Sequence, residues 1–173
     1  MYKFSYTLSE EEYYEFNIYS YLNKPAGKRS FLIFRFLVPL ILVASVVFTM
    51  VVIGEIYFGA FDYIFLAIAV LWIIFAKKFY IRSIRGSVKK LISKGKAPYG
   101  IPTEMVFEED FFKETTPENE NKSKYSSVES VAVGPEAVYI YLNAILAYII
   151  PNRVFQNDNE KIEFVEFINS KIQ

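Results

Sequence analysis

At 173 residues, the chain has room for one ordinary domain, or for a small domain joined to a membrane segment. Its residues are 53% hydrophobic, and 19 Lys and Arg balance 19 Asp and Glu, so no overall field draws the whole molecule to nucleic acid or to a membrane. The sequence has neither Cys nor His, which excludes disulfides, thiolate nucleophiles, imidazole bases and nearly all zinc or haem sites.

The zero net charge conceals two halves of opposite sign. Residues 1–100 contain 13 Lys or Arg and 6 Asp or Glu, whereas residues 101–173 contain 6 and 13. The C-terminal half therefore carries a net charge of −7, that is 6 minus 13. The chain thus consists of a basic half followed by an acidic half.

The N-terminus predicts a β-strand followed by a helix. Apolar residues alternate with polar ones from Tyr2 to Leu8, which is the pattern of a half-buried strand. Ser9 and Glu12 form a capping-box pair, and the helix is expected to run to Leu22. Because an isolated strand is unstable, we expect this strand to join a sheet formed near the other end of the chain.

Two apolar spans follow, and both are long enough to cross a membrane. Residues 36–54 contain no charged side chain, and residues 56–76 contain one, Asp62. A helix rises about 1.5 Å per residue, so each span can cross a hydrocarbon core of about 30 Å. Pro39 is expected in the first turn or two of its helix. The connection between the spans is too short for a domain, so the sequence predicts a tight antiparallel hairpin of two transmembrane helices.

Lys and Arg predict the orientation of this hairpin. Lys24, Lys28, Arg29 and Arg35 precede the first span, eight basic residues follow the second, and the loop between the spans has none. Since basic residues are retained in the cytoplasm, both termini are predicted to be cytoplasmic.

The segment after the second span is strongly basic. Residues 77–94 are predicted to be an amphipathic helix that continues from the span, with Ile81, Ile84, Val88 and Leu91 on its apolar face. Its cations are candidates for lipid contact or for setting the topology: Lys77, Lys78, Arg82, Arg85, Lys89, Lys90, Lys94 and Lys96. Two interpretations are compatible with each other: the cations bind anionic headgroups, and they flank the span while the apolar face packs on the soluble domain. A nucleic-acid role is not expected, because the segment lacks a reading motif.

The acidic half predicts a cytoplasmic α+β domain. Five short β-rich runs lie between Thr103 and Phe155, separated by turn residues. A helix is predicted from Asp158, with Ile162, Val165, Ile168 and Ile172 on one face. An antiparallel meander closed by a C-terminal helix is a roll of the pleckstrin-homology kind.

Four stretches resemble the YcxB-like proteins of bacteria: YTLSEEEYYEFNIY near the start, AGKRS before the first span, and YSSVESV and VYIYLNAILAYIIPNRVF near the end. The resemblance implies a two-helix protein of the cell (inner) membrane with a C-terminal pleckstrin-homology-like domain and no catalytic signature. Tyr125 stands where a Trp is expected before the Ser-Ser pair, a departure that leaves the predicted fold unchanged.

Candidate chemistry in the acidic half is sparse. The loops that would grip a phosphoinositide are EED and PENEN, which would repel anionic lipid. Glu108, Glu109 and Asp110 are consecutive in a turn and lack the alternating ligands of a calcium loop. The acidic surface is expected to meet the basic segment or a basic partner, or simply to be solvated.

Asp62 has two interpretations. Intramembrane acids serve ion or proton paths, but no basic residue of the first span lies at a matching depth. An interfacial acid that reaches water is the alternative.

These patterns divide the chain into an N-terminal strand and amphipathic helix (1–30), a transmembrane hairpin (31–76), a basic juxtamembrane helix and linker (77–100) and a cytoplasmic domain (101–173). We expect a non-enzymatic, membrane-anchored interaction or regulatory module, with the lipid bilayer and another protein or a second copy as partners. No cofactor and no small-molecule substrate are expected. The alternatives are a small transport or channel subunit formed by oligomerised hairpins, and a sensor of anionic lipid surfaces.

Overall fold

A computed structural model describes residues 1–54, 58–95, 97–144 and 146–172. Its contacts divide the chain into two compact units. The helical unit is Tyr21–Ser87, and the sheet unit combines Met1–Ser20 with Val88–Gln173. The sheet unit is therefore built from segments that lie on either side of the helical unit in the sequence.

The elements follow the chain in the order β1 (Tyr2–Thr7), α1 (Glu10–Asn23), α2 (Pro25–Ile53), α3 (Ala60–Ser93), β2 (Pro102–Phe107), β3 (Phe111–Thr115), β4 (Glu120–Lys124), β5 (Ser130–Val133), β6 (Ala137–Tyr141), β7 (Ala147–Pro151) and α4 (Asp158–Lys171). Single 3₁₀ turns, Tyr125–Ser127 and Asn152–Val154, follow β4 and β7.

Helices α2 and α3 are long and apolar enough to cross a membrane. They contain 29 and 34 residues, and their most apolar windows have mean hydropathies of 2.9 and 2.1. At about 1.5 Å per residue they extend for roughly 43 and 51 Å, which exceeds a hydrocarbon core of about 30 Å. Few residues of these windows are buried within the chain, unlike the core helix of a soluble protein. The predicted pair of long apolar helices is confirmed.

The expectation that Pro39 lies near the start of its helix is wrong. Helix α2 begins at Pro25, ahead of the apolar span, so Pro39 falls inside the helix. Pro25 suits the first helical turn because the N–H that proline lacks would be unpaired there anyway. Pro39 instead removes an internal donor, and the carbonyl of Arg35 four residues earlier loses its helical partner.

Helix α3 confirms that the basic segment continues from the second span without a break, since it runs from Ala60 to Ser93. The first residue predicted for that span, Ile56, lies outside the described residues. The buried row of α3 is Ala76, Tyr80, Ile84 and Val88. It differs from the predicted apolar face, because Tyr80 belongs to it and Leu91 is 41% exposed.

Aromatic side chains join the first turns of α2 to the middle of α3. The Tyr80 ring lies 5.2 Å from Phe31 and 5.3 Å from Phe34, centroid to centroid. The Trp72 ring lies 5.2 Å from Phe34, and its indole N–H donates to the Phe34 carbonyl at 3.2 Å. These contacts fix the two helices as a hairpin, with the start of α2 level with residues 72–80 of α3.

The sheet unit contains two antiparallel sheets. Sheet A has the strand order β1-β2-β3-β4, and sheet B has the order β5-β6-β7. Strand β1 pairs with β2 over its whole length, from Tyr2 opposite Phe107 to Thr7 opposite Pro102. The prediction that the N-terminal strand joins the C-terminal sheet is confirmed. The expected single meander is divided into two sheets, and the 3₁₀ turn at Tyr125–Ser127 lies between them.

The main core lies between the two sheets and α4. Phe107 and Phe112 of sheet A, Val138 and Ile140 of sheet B, and Phe164 of α4 are among its buried residues. Phe164 and Ile168 are fully buried, one helical turn apart, whereas Ile162 is 53% exposed. The predicted apolar face of this helix was therefore wrong at Ile162, because the face that enters the core is centred on the larger Phe164 side chain.

A second cluster lies on the other side of sheet B. Every residue of β6 is buried, because Val138 and Ile140 face the main core while Tyr139 and Tyr141 face helix α1. Phe16 of α1 packs on Tyr139 with ring centroids 5.3 Å apart. The Ser20 and Tyr141 hydroxyls share a hydrogen bond of 2.8 Å. Residues before the hairpin thus pack on residues more than a hundred positions later.

The backbone is tightly packed at Gly27, which is buried in the first turn of α2. A Cβ added there would overlap the Tyr21 carbonyl oxygen and lie 2.6 Å from the Tyr21 Cα, so backbone would have to move. We expect Gly27→Ala to destabilise the protein by about 1–3 kcal/mol, as overpacking does. Thermal unfolding of the full chain in detergent measures this loss.

Gly86→Ala is the matched control. Gly86 lies inside α3, and a Cβ there meets nothing within 4 Å. Alanine should therefore stabilise the helix by up to about 1 kcal/mol. Equal effects of the two substitutions would contradict the tight packing at Gly27.

Candidate functional site

The predicted basic residues fall at three kinds of position. Lys77, Lys78, Arg82, Arg85, Lys89 and Lys90 lie on α3 with exposed side chains. Lys94 is exposed in the turn after the helix, and Lys96 lies outside the described residues. Lys78, Arg82, Arg85 and Lys89 are spaced by four, three and four residues, so they share one side of the helix. The buried row of α3 lies on the opposite side, so the helix is amphipathic as predicted.

A second group of cations lies on α2. Lys28 and Arg29 are exposed in its first turns, and Arg35 is half-buried. Because Tyr80 contacts both Phe31 and Phe34, these α2 cations lie near the same end of the helical unit as those that begin at Lys77. We call this group the basic collar: Lys28, Arg29 and Arg35 of α2 with Lys77, Lys78 and Arg82 of α3.

Asp62 serves as a helix cap. It lies in the first turn of α3, and its carboxylate accepts a hydrogen bond of 2.8 Å from the Gly59 backbone N–H. The Asp62 N–H in turn donates to the Gly59 carbonyl at 3.1 Å. An acid at this position also complements the positive end of the helix dipole. Asp62 is buried, and its carboxylate is engaged at the helix terminus.

Within the described residues, the carboxylates of the acidic loops do not come together to form a metal-binding site. Glu109 and Asp110 are exposed in the turn between β2 and β3. No group of three or more Asp or Glu in the described ranges could hold a metal ion. Carboxylates elsewhere in the sheet unit pair with cations, as Glu104 does with Lys3 at 3.0 Å and Glu120 with Lys113 at 3.5 Å. Both pairs lie on strand residues that are partly or fully exposed, where such pairs contribute little to stability.

Glu12 joins the two ends of the chain, which the sequence did not predict. Its carboxylate accepts from Arg153 Nε at 2.7 Å and from an Arg153 terminal nitrogen at 3.1 Å. The same terminal nitrogen donates to the Thr7 carbonyl at 2.8 Å. Glu12 also accepts from the Ser9 N–H at 2.8 Å, while its own N–H donates to Ser9 Oγ at 3.2 Å. The predicted capping box is confirmed, and Arg153 fastens it to the turn after β7.

Opposing influences act on the Glu12 carboxyl. Burial tends to raise its pKa, but the hydrogen bonds from Arg153 and Ser9 outweigh burial, and the pKa of Glu12 is lowered below its ordinary value. Ser9 and Glu12 could be paired from their spacing alone. Arg153 lies 141 residues from Glu12, and no local pattern connects them.

Comparison with known proteins places the resemblance in the C-terminal part of the chain. Residues 107–168 match the family model described as YcxB-like protein. This match runs from the end of β2 into α4 and confirms, for that segment, the family suggested by the sequence motifs. Comparisons with curated proteins and with solved structures gave no match.

The Glu12–Arg153 pair should contribute measurably to stability at neutral pH. A double-mutant cycle with Glu12→Gln and Arg153→Met should give a coupling of about 1–2 kcal/mol, because a mostly buried carboxylate keeps two charge-assisted hydrogen bonds. The same cycle on the Lys113–Glu120 pair, whose carboxylate is exposed, should give less than about 1 kcal/mol. Near-UV circular dichroism of the tyrosines follows unfolding in both cases.

The pH dependence of this contribution has a definite sign. Because the Glu12 pKa is lower in the folded state than its ordinary 4.5, the stabilisation is present above pH 4.5 and is lost as pH falls through the folded-state value. The stability deficit of Glu12→Gln should therefore shrink on acidification. A deficit independent of pH would contradict the ion pair.

Asp62 should behave as a cap. Asp62→Ala should destabilise the hairpin by about 1 kcal/mol, whereas Asp62→Asn keeps an acceptor oxygen and should cost less. Trp72 fluorescence during thermal unfolding reports on this part of the chain. Ion flux in proteoliposomes should be the same for both variants and the natural chain. Flux that Asp62→Asn abolishes would instead support the channel hypothesis.

Proposed function

We propose that this protein is a non-enzymatic, membrane-anchored interaction module of the bacterial cell membrane. The observation that carries the proposal is the pairing of β1 with β2 across the whole helical unit. One folded domain is thus interrupted by a hairpin long and apolar enough to span a membrane. This arrangement suits a binding domain that is held permanently at the membrane surface.

The pairing supports a topology with both termini in the cytoplasm. Strands β1 and β2 hydrogen-bond directly, and the Gly100 N–H donates to the Leu8 carbonyl at 2.8 Å. Since these bonded segments must lie on one side of a bilayer, the chain has to cross it and return. The collar cations at one end of the hairpin favour the cytoplasm as that side.

The connections between the long apolar helices and the rest of the chain are short, which favours a function near the membrane surface. Only Lys24 lies between α1 and α2, and residues 94–101 separate α3 from β2. Eight extended residues reach at most about 28 Å. Two such connections limit how far the sheet unit can travel and raise its effective concentration toward other membrane proteins.

The sheet unit has the composition of a binding partner for a basic protein surface. Its two antiparallel sheets and C-terminal helix are consistent with a pleckstrin-homology-like domain. Residues 101–173 carry 13 acidic and 6 basic side chains. Of these bases, Lys113, Arg153 and Lys161 are paired with Glu120, Glu12 and Asp158, so the acidic side chains remain in excess. Complementary charge speeds encounter and excludes partners of the wrong sign.

Affinity purification of the full chain from detergent-solubilised membranes tests the proposal. The natural chain should enrich a specific protein with a basic surface. Phe164→Asp places a charge in the main core and should abolish recovery, because the sheet unit cannot fold around it. Because this variant keeps the two apolar helices, it should still recover any protein that binds the helices alone.

Ile162→Asp is the matched control, with the same new residue two positions away on the exposed side of α4. It should recover the partner as the natural chain does. Recovery of the same proteins by Phe164→Asp, or of no protein by the natural chain, would contradict the proposed function.

A further inference from the structure

Arg35 has an unmet hydrogen-bonding requirement. Within the described residues of the helical unit, its Nε is the buried side-chain nitrogen without a hydrogen-bond partner. The guanidinium carbon lies 5.7 Å from the centroid of the Phe36 ring, a cation–π contact that leaves the N–H donors available. A buried charged donor without an acceptor costs free energy. An acceptor oxygen at this point would therefore be bound favourably.

Within the described helical unit, the end that contains Arg35 supplies more positive charge and no carboxylate. The collar adds Lys28 and Arg29 on the same helix and Lys77, Lys78 and Arg82 on the other. Asp62 is the acidic residue in the described part of the helical unit, and it caps the opposite end of α3. Ten residues separate Asp62 from Trp72, about 15 Å along the helix. Within the described helical unit no carboxylate is thus placed to accept from Arg35, so the acceptor comes from outside that unit.

The position of Arg35 identifies the class of acceptor. Arg35 immediately precedes the charge-free run of residues 36–54, and Lys77 immediately follows the apolar part of α3. These two cations therefore mark the level at which hydrocarbon ends on both helices. Phospholipid phosphates occupy the layer just outside the hydrocarbon. Aromatic rings at this level, including Trp72 and Tyr80, are typical of the same interface.

We propose that the basic collar binds the headgroup phosphate of an anionic phospholipid, with Arg35 as the principal donor. The planar guanidinium can give two parallel N–H bonds to phosphate oxygens. Lys77, at the same level on α3, adds positive charge near the phosphate, whereas Lys78 and Arg82 lie on the side of α3 that faces away from α2. The Trp72 bond to the Phe34 carbonyl and the Tyr80 contacts hold the two helices in register around the site. This binding is separate from the partner recognition proposed for the sheet unit.

The basic residues farther along α3 do not belong to the site. Lys89 lies twelve residues beyond Lys77, or about 18 Å along the helix axis. The polar layer on each side of a bilayer is only about 5–8 Å deep. Lys89 and Lys90 thus form an internal control of the same charge on the same helix.

Native mass spectrometry of the full chain in detergent tests the proposal by titration with phosphatidylglycerol, with phosphatidylcholine and inorganic phosphate as comparison ligands. Phosphatidylglycerol should bind at least about fivefold more tightly than phosphatidylcholine, and millimolar phosphate should not displace it. Arg35→Gln should weaken phosphatidylglycerol binding by about five- to tenfold. Arg35→Lys keeps the charge but loses the paired N–H bonds, so its affinity for phosphatidylglycerol should lie between those of the natural chain and Arg35→Gln.

Lys77→Gln should weaken phosphatidylglycerol binding by about fivefold, since each cation near the surface contributes about that factor. Lys89→Gln with Lys90→Gln should leave binding unchanged. Trp72 fluorescence confirms that each variant keeps the hairpin. Unchanged binding in Arg35→Gln, an equal loss in the Lys89 and Lys90 variant, or displacement by inorganic phosphate would overturn the proposal.

Discussion

Pairing of β1 with β2 is the constraint on which the rest of the structure depends. The two strands are separated in sequence by both long apolar helices, yet they match over six residue pairs. Backbone hydrogen bonds of this kind form only between segments on the same side of a bilayer. If the apolar stretch between the strands crosses a membrane, it must therefore return to the same side, which requires an even number of crossings. Two helices of sufficient length satisfy this requirement.

The same constraint makes the soluble part dependent on both ends of the chain. Phe4 packs on Phe107 and Phe164, so β1 supplies part of the main core as well as an edge strand. Helix α1 covers the outer side of sheet B through Phe16, and Arg153 joins the α1 cap to the turn after β7. A fragment that begins after the hairpin would expose these surfaces. The protein is better regarded as one domain interrupted by a hairpin than as a domain with an anchor attached.

Local patterns in the sequence were sufficient to predict the helices and strands, but they did not predict the contacts between them. Alternation from Tyr2 to Leu8, the Ser9–Glu12 spacing and the charge-free spans each depend on neighbouring residues, and each gave a correct prediction. The predicted position of Pro39 in its helix was wrong because α2 begins well before its apolar run. The prediction that Ile162 lies on the buried face was wrong because spacing cannot show that the larger Phe164 side chain decides which face enters the core. Long-range pairs such as Glu12 with Arg153 leave no local signal.

Cysteine accessibility tests the central claim most directly, because the natural chain has no Cys. Single substitutions Ser5→Cys in β1, Ser126→Cys after β4 and Phe58→Cys between the helices each place a thiol at an exposed position. A membrane-impermeant maleimide applied to spheroplasts should label Phe58→Cys and leave the other two unlabelled until the membrane is opened. Labelling of Ser5→Cys and Ser126→Cys from opposite faces of the membrane would contradict the account, since β1 could not then pair with β2.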